Sequence, residues 1–166
     1  KHVSAPGYSH EGMWRPYMSG SMDGSFEAMF PSIVEWVDDH YRTKAKRSYR
    51  AIAGLSMGGF HSMQISKEYP TMFNYVGLFS AAIFRGKEGI ETYANLEAKL
   101  DRQFAEGISL YWIGIGKDDF LYEENVRYRA LLDGEGHPYT YRESEGGHIW
   151  RNWRIYLGEY AQLLFK

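Results

Sequence analysis

The chain has 166 residues, enough for one domain with a single large core, and its 44% hydrophobic and 24% charged residues are ordinary for a globular protein. A net charge of −2 provides no basic excess for binding nucleic acid, and no block of like charge suggests a membrane surface as partner. The absence of cysteine excludes disulfides, thiolate catalysis and thiolate metal sites.

The N-terminal residues 1–22 contain several prolines and glycines with little periodicity, which predicts a long loop or lid-like segment. Apolar residues then recur at helical spacing and predict a helix over residues 24–42, with Pro31 either kinking it or marking the first turn of its main part. Aromatic residues make up 17% of the chain. This abundance fits an aromatic-rich core, and it also fits a site for planar or sugar ligands. The sequence leaves both interpretations open.

Strands and helices alternate through the rest of the chain. Short apolar runs bounded by glycine or proline predict the strands, and apolar residues at helical spacing predict the helices. The predicted order is strand Arg50–Gly54, a helix to Tyr69, strand Tyr75–Ser80, helix 89–106, strand Ile108–Ile115, helix Asn125–Gly134, strand Pro138–Glu143 and a closing helix from Trp150 to Leu164. All four strands are taken as apolar. This alternation indicates βαβ units, and therefore one α/β domain with a mostly parallel sheet and helices on both faces.

A Gly-x-Ser-x-Gly motif lies between the first predicted strand and the helix after it. Gly54, Ser56 and Gly58 form the pattern. A sharp strand-to-helix turn at this place presents the serine hydroxyl above the sheet, where it can act as a nucleophile. The backbone N–H of Met57 then lies at a helix N-terminus, where it can stabilise an oxyanion.

A serine nucleophile needs a general base, and His148 is the candidate. It follows Gly146 and Gly147 in the loop after the fourth predicted strand. Reactive groups of open α/β sheets gather at the carboxyl ends of the strands, which is where His148 falls. His137 enters the same strand from the opposite end, and His61 is expected to pack or cap within the helix that follows Ser56.

The base in turn needs an acid that fixes its orientation and tautomer. Asp118 and Asp119 both follow the third predicted strand. Asp119 is preferred, and Asp118 is kept as the alternative. Ser56, Asp119 and His148 then occur in the chain order of an α/β-hydrolase triad.

Other catalytic motifs do not fit. Gly114-x-Gly116 follows a strand, but Asp119 stands where the dinucleotide-binding pattern requires its third glycine. The chain also contains neither a Gly-Lys-Ser/Thr phosphate loop nor a His-Glu-x-x-His zinc pair. Triad chemistry requires no metal and no cofactor, and none is expected.

Three segments carry a resemblance to a known family. Arg50-Ala-Ile-Ala-Gly-Leu-Ser-Met-Gly-Gly59, Gly116-x-x-Asp119-Phe-Leu and Gly146-Gly-His148-x-Trp150 resemble the nucleophile, acid and base segments of the esterase-D-like Putative esterase family, which has the α/β-hydrolase fold. Within that family the likeness is to feruloyl and acetylxylan esterases of carbohydrate esterase family one, as found in gut and rumen bacteria. It extends over about residues 23–166.

The resemblance implies a serine carboxylesterase with Ser56, Asp119 and His148 as its triad and the Met57 amide as one oxyanion donor. It also implies that residues 1–166 are the C-terminal part of a catalytic domain whose N-terminal strands and second oxyanion donor lie outside this chain, and that the chain alone is nearly inactive. Trp14, Trp150 and Met57 are candidates, by position, for holding the acyl group.

The expected substrate is a feruloyl or acetyl ester on plant-wall xylan, and the family likeness places the protein in the periplasm or outside the cell. Neither nucleic acid nor a membrane is an expected partner, and the oligomeric state is left open. The alternatives are an acyltransferase, a siderophore or thioester hydrolase of the same fold, or an inactive binding fragment.

Overall fold

A computed structural model of the protein describes residues 22–84, 86 and 88–166. The predicted loop or lid at residues 1–22 therefore lies, except for Met22, outside the described residues, as does Trp14. The elements in chain order are α1 (Ser25–His40), β1 (Ala51–Leu55), α2 (Met57–Glu68), β2 (Tyr75–Phe79), α3 (Leu96–Ala105), β3 (Leu110–Gly116), α4 (Tyr122–Gly134), β4 (Thr140–Ser144) and α5 (Trp150–Ala161).

The predicted alternation of strands and helices is confirmed, and most boundaries differ from prediction by only a few residues. The main difference is in the helix expected over 89–106. Residues Glu91–Tyr93 form a short 3₁₀ turn, and α3 begins only at Leu96. Asn95 lies between them with φ of 55°, a left-handed conformation that asparagine tolerates and that interrupts a helix. Tyr93 packs against Phe60 instead of extending the helix.

The strands form a four-stranded sheet in the order β1-β2-β3-β4, and each neighbouring pair is parallel. Helices cross over between consecutive strands, so every strand ends at the same edge of the sheet. The predicted α/β architecture with a parallel sheet is confirmed.

The sheet is covered on both faces because side chains of a strand alternate between them. Val76 and Leu78 of β2 lie in the larger core, which also contains buried residues of α2, α3 and α4 and is packed by Phe26 and Phe30 of α1. The opposite face is covered by α5, and its aromatic cluster consists of Tyr75, Phe79, Trp112, Trp153, Tyr156 and Tyr160.

The two outer strands differ from the buried inner ones. The expectation of four apolar strands is wrong for β4, whose residues Thr140–Ser144 are polar and partly exposed, as an edge strand allows. Within the described ranges β1 pairs with β2 alone and forms the other edge.

None of the described helices has the length and apolar character needed to cross a membrane.

Candidate active site

Ser56 occupies a strained turn between β1 and α2, called here the elbow (residues 54–59). Its φ of 55° and ψ of −118° are rarely adopted by a residue with a side chain. Two backbone hydrogen bonds fix the turn: Ser56 N–H donates to the Phe79 carbonyl at 2.9 Å, and Ala82 N–H donates to the Ser56 carbonyl at 3.0 Å. Strain of this kind persists where the surrounding structure imposes it, and it is common at functional sites.

The first glycine of the motif is required by the tightness of the elbow. A Cβ at Gly54 would lie 2.1 Å from the carbonyl oxygen of Gly58, which belongs to the backbone of α2. No side chain fits in that space, so glycine lets the strand and helix approach closely enough to hold Ser56 at the top of the turn.

Asp119 and His148 are brought together at the end of β3. His148 Nδ1 lies 2.9 Å from Asp119 Oδ2 and 3.1 Å from Asp119 Oδ1. The Leu121 backbone N–H also donates to Asp119 Oδ1, at 3.0 Å. Asp119 is buried, whereas Asp118 is exposed. Of the two aspartates predicted as candidates, the structure places Asp119 against the histidine.

The surroundings of Asp119 favour its ionised form. Burial alone raises the pKa of this carboxyl, but hydrogen bonds from His148, the Leu121 amide and Ser80 outweigh burial and hold the pKa below its ordinary value. Asp119 is therefore a carboxylate near neutral pH and can only accept hydrogen bonds. His148 Nδ1 must then carry the hydrogen, which leaves Nε2 as the basic nitrogen.

The loop that carries His148 is tied to the loop that carries Asp119. Asp118 N–H donates to the Gly146 carbonyl at 3.1 Å. Gly146 comes so close to the end of β3 that a Cβ at Gly116 would lie 2.1 Å from its carbonyl oxygen. From α5, Asn152 Nδ2 donates to the carbonyls of Glu145 and Gly147 at 3.0 and 3.1 Å. These contacts fix the relative position of acid and base.

The other histidines within the described residues have partners elsewhere. His61 Nδ1 lies 2.6 Å from Glu27 Oε1 in a buried pair, so this histidine packs inside the fold as expected. His137 stacks on Phe104 and contacts Asp101, and His40 Nδ1 lies 2.7 Å from a carbonyl of its own helix. His148 is the described histidine that contacts Asp119.

Aromatic side chains surround His148. The ring of Phe120 lies 4.6 Å from the His148 ring and that of Trp153 4.8 Å, measured between centroids. Trp150 packs edge-to-face on Trp153. Phe120 and Trp150 remain 71% and 69% exposed, so Phe120 offers apolar surface beside His148 and Trp150 offers it beside Trp153. Met57 is only partly buried, at the start of α2.

An apolar groove within the described residues does not coincide with the polar groups of the candidate site. It has a volume of about 610 Å³, lies between α1 and α2, and is lined by apolar side chains that include Phe26, Met29 and Met57. Asp119 and His148 do not line it. The candidate site is therefore identified from the contact between Asp119 and His148 and not from the volume of a groove.

Among the described residues no group of three or more histidine, aspartate or glutamate side chains is arranged to hold a metal ion.

Three residues that support this site were not identified from sequence patterns. Ser80, Trp153 and Asn152 act through side-chain hydrogen bonds that join β2 to α5 and α5 to the His148 loop. Their partners are 5 to 73 positions away in the chain. The available signal for Ser80 is its place directly after a buried strand in a parallel sheet, where site residues gather.

Comparison with known proteins agrees with this fold and places the chain in a family. An acetyl esterase of Caldicellulosiruptor saccharolyticus is 27% identical in an alignment that covers 81% of this chain and 61% of that protein. An endo-1,4-beta-xylanase/feruloyl esterase of Xylanibacter ruminicola is 29% identical over 93% of this chain and 20% of its own length. The structure of a ferulic acid esterase superimposes with a TM-score of 0.71 at 24% identity, over 84% of this chain and 60% of that one.

The chain thus spans less than two thirds of the acetyl esterase and of the ferulic acid esterase. The structural likeness identifies the α/β-hydrolase fold. Residues 30–161 match the model of the Putative esterase family, and the chain belongs to that family.

Proposed function

We propose that this chain carries the nucleophile, base and acid of a serine carboxylesterase, with Ser56, His148 and Asp119 in those roles. The contact between His148 Nδ1 and Asp119 carries the proposal, because it lies at the sheet edge where the elbow presents Ser56. A buried carboxylate that orients a histidine, at the sheet edge where a strained turn presents a serine, is the arrangement expected to activate a serine hydroxyl.

In the proposed reaction the Ser56 hydroxyl attacks the ester carbonyl carbon while His148 Nε2 takes its proton. The Asp119 carboxylate holds the imidazolium in place. The negative charge that develops on the carbonyl oxygen is stabilised by the Met57 backbone N–H, at the positive end of α2. When the tetrahedral intermediate collapses, the ester C–O bond breaks and His148 gives its proton to the leaving alcohol.

An acyl-enzyme on Ser56 remains, and water completes the cycle. His148 accepts a proton from the water as its oxygen attacks the acyl carbon, and then returns that proton to Ser56 as the carboxylic acid leaves. Every proton in these steps is accounted for by Ser56, His148, the substrate and water.

We propose feruloyl or acetyl esters of plant-wall xylan as substrates. The proposal is supported by the family and by relatives named acetyl esterase and xylanase/feruloyl esterase. It is also supported by the exposed rings of Phe120, which packs on His148, and of Trp150, which packs on Trp153. Exposed aromatic rings bind both flat aromatic acids and sugars through their faces. Xylan is an extracellular polymer, so this function places the protein in the periplasm or outside the cell.

The test is the Ser56→Ala variant of the full-length protein, assayed on methyl ferulate and on acetylated xylan. Loss of the hydroxyl should lower turnover by several powers of ten while the fold is kept. Ser62→Ala is the matched control, because the Ser62 hydroxyl donates only to a carbonyl of its own helix, at 2.8 Å, and should leave turnover unchanged. Substantial turnover by Ser56→Ala, or a preference for long-chain lipid esters, would contradict the proposal.

A further inference from the structure

Ser80 has an unusual backbone conformation at a fully buried position in the sheet. It follows β2 directly, it is completely buried, and its φ is 45°, in the left-handed region that residues with a side chain seldom adopt. Its backbone N–H donates to the Gly114 carbonyl of β3 at 2.8 Å. Ser80 therefore lies between the strand that carries Ser56 and the strand that leads to Asp119.

The Ser80 hydroxyl is held by α5. The indole N–H of Trp153 donates to Ser80 Oγ at 3.0 Å in a buried hydrogen bond. A hydroxyl carries one hydrogen, and when its oxygen accepts from Trp153 that hydrogen stays available to another acceptor. Asp119 fits that role, because the Ser80 side chain is among the groups that lower the pKa of its carboxyl.

Trp153 also contacts the base. Its ring meets the His148 ring edge-to-face, with the centroids 4.8 Å apart and the planes at 82°. Trp153 thus touches the histidine with its ring and Ser80 with its N–H. These two contacts connect Ser80 to the base, and the lowered pKa of the Asp119 carboxyl connects Ser80 to the acid.

We propose that Ser80 and Trp153 are positioning residues that hold Asp119 and His148 in the orientation required for proton transfer. The inference rests on the proposed function of the triad and assigns to it a supporting pair. A carboxylate can rotate about its side-chain bond, and an additional donor limits that rotation. The tryptophan ring in turn limits the tilt of the imidazole. Small losses of alignment at a reacting group cost up to about 100-fold in rate.

The test uses Ser80→Ala, which removes the hydroxyl, and Trp153→Phe, which keeps a ring but removes the N–H, both in the full-length protein. Each should lower kcat on methyl ferulate about 10- to 100-fold with little change in KM. Ser80→Ala should also move the acid limb of the pH–rate profile to higher pH, because a carboxylate with one donor fewer attracts the proton of the pair more strongly. Trp153→Phe keeps the Ser80 hydroxyl and should move the acid limb less.

Two matched variants control for the loss of a buried hydroxyl or indole. Ser66→Ala removes a buried hydroxyl that donates to the Met63 carbonyl within α2, and Trp112→Phe alters the same aromatic cluster on β3. Both should leave the pH–rate profile unchanged. If they moved it as far as the Ser80 and Trp153 variants do, the effect would be structural and the proposal would be wrong.

A double-mutant cycle separates this inference from the proposed function. In an Asp119→Asn background, Ser80→Ala should cause almost no further loss, because the two residues act through one carboxylate. Independent losses would overturn the positioning role. If Ser56→Ala abolished turnover while Ser80→Ala and Trp153→Phe matched the wild type, the triad would stand and the positioning role alone would fail. Retained turnover by Ser56→Ala would instead remove the proposed function on which the inference rests.

Discussion

The two glycines of the Gly-x-Ser-x-Gly motif should respond in opposite ways to the same substitution. Gly54→Ala adds a Cβ that would lie 2.1 Å from the carbonyl oxygen and 2.2 Å from the carbonyl carbon of Gly58. Both are backbone atoms in the first turn of α2, so no side chain can rotate away to make room. At Gly58 itself an added Cβ meets nothing within 4 Å.

The magnitudes follow from these distances. Overpacking typically costs about 1–3 kcal/mol, and a clash against backbone places Gly54→Ala at the upper end of that range or beyond it. Gly58 lies within α2, where alanine in place of glycine contributes about 0.5–1 kcal/mol of stability. The two variants should therefore differ by about 4 kcal/mol in the free energy of unfolding, although each adds one methyl group.

Equilibrium urea unfolding of the full-length protein, followed by tryptophan fluorescence, measures the difference. Gly54→Ala should unfold at clearly lower urea than the wild type, or fail to fold, and Gly58→Ala should unfold at slightly higher urea. Equal midpoints for the two variants would show that β1 and α2 do not approach as closely as the elbow requires.

The remaining predictions concern the acid, a buried lysine, an exposed ring and the edge of β1. Asp119→Asn should lower kcat about 10⁴-fold, as in a serine protease whose histidine is left in the wrong tautomer. Asp118→Asn, at an exposed position, should have little effect, and the reverse ranking on methyl ferulate would assign the acid to Asp118. Burial, together with the charge of Lys99, lowers the pKa of the fully buried Lys67 from 10.5 to about 8. The unfolded chain then binds a proton that the folded chain releases, so stability should rise between pH 8 and 10.5, and unfolding midpoints of Lys67→Met should lack that rise. Phe120→Ala should raise KM for methyl ferulate more than KM for a small acetyl ester, and equal changes would exclude Phe120 from the acyl site. The isolated chain should self-associate through the β1 edge and show little activity, since an unpaired strand edge templates pairing with other chains; a monomeric, fully active chain in analytical ultracentrifugation and ester assays would contradict this.

The fold could be predicted from the sequence because its signals are local. Short apolar runs bounded by glycine and proline identified the inner strands, and the alternation with helices determined a parallel sheet. The break at Asn95 was missed because apolar residues before it satisfy helical spacing while packing as a 3₁₀ turn. β4 was expected to be apolar because inner strands of a parallel sheet are buried on both faces. Its position at the edge, where polar residues are allowed, depends on the strand order in space.

The candidate site was predictable to the extent that the chemistry of its residues appears in short motifs. Ser56, Asp119 and His148 each follow a strand, and parallel strands end at one edge, so their location at a common edge could be expected from the sequence. Which of Asp118 and Asp119 contacts His148 depends on a one-residue offset in a turn, and the structure buries Asp119 and exposes Asp118. The hydrogen bond between Ser80 and Trp153 left no sequence signal, because a side-chain contact across 73 positions has no periodicity. The predicted role of Trp14 stays a prediction, since that residue lies outside the described part of the chain.

The most direct measurement of the central proposal is covalent labelling of the full-length protein with a fluorophosphonate, followed by peptide mass mapping. Such a probe phosphonylates a serine only when an adjacent base has activated it. A single adduct should map to Ser56, and ester turnover should fall in proportion to its formation. Prior treatment with methyl ferulate should slow the labelling. An adduct on another residue, or full loss of turnover with Ser56 unmodified, would show that Ser56 is not the nucleophile.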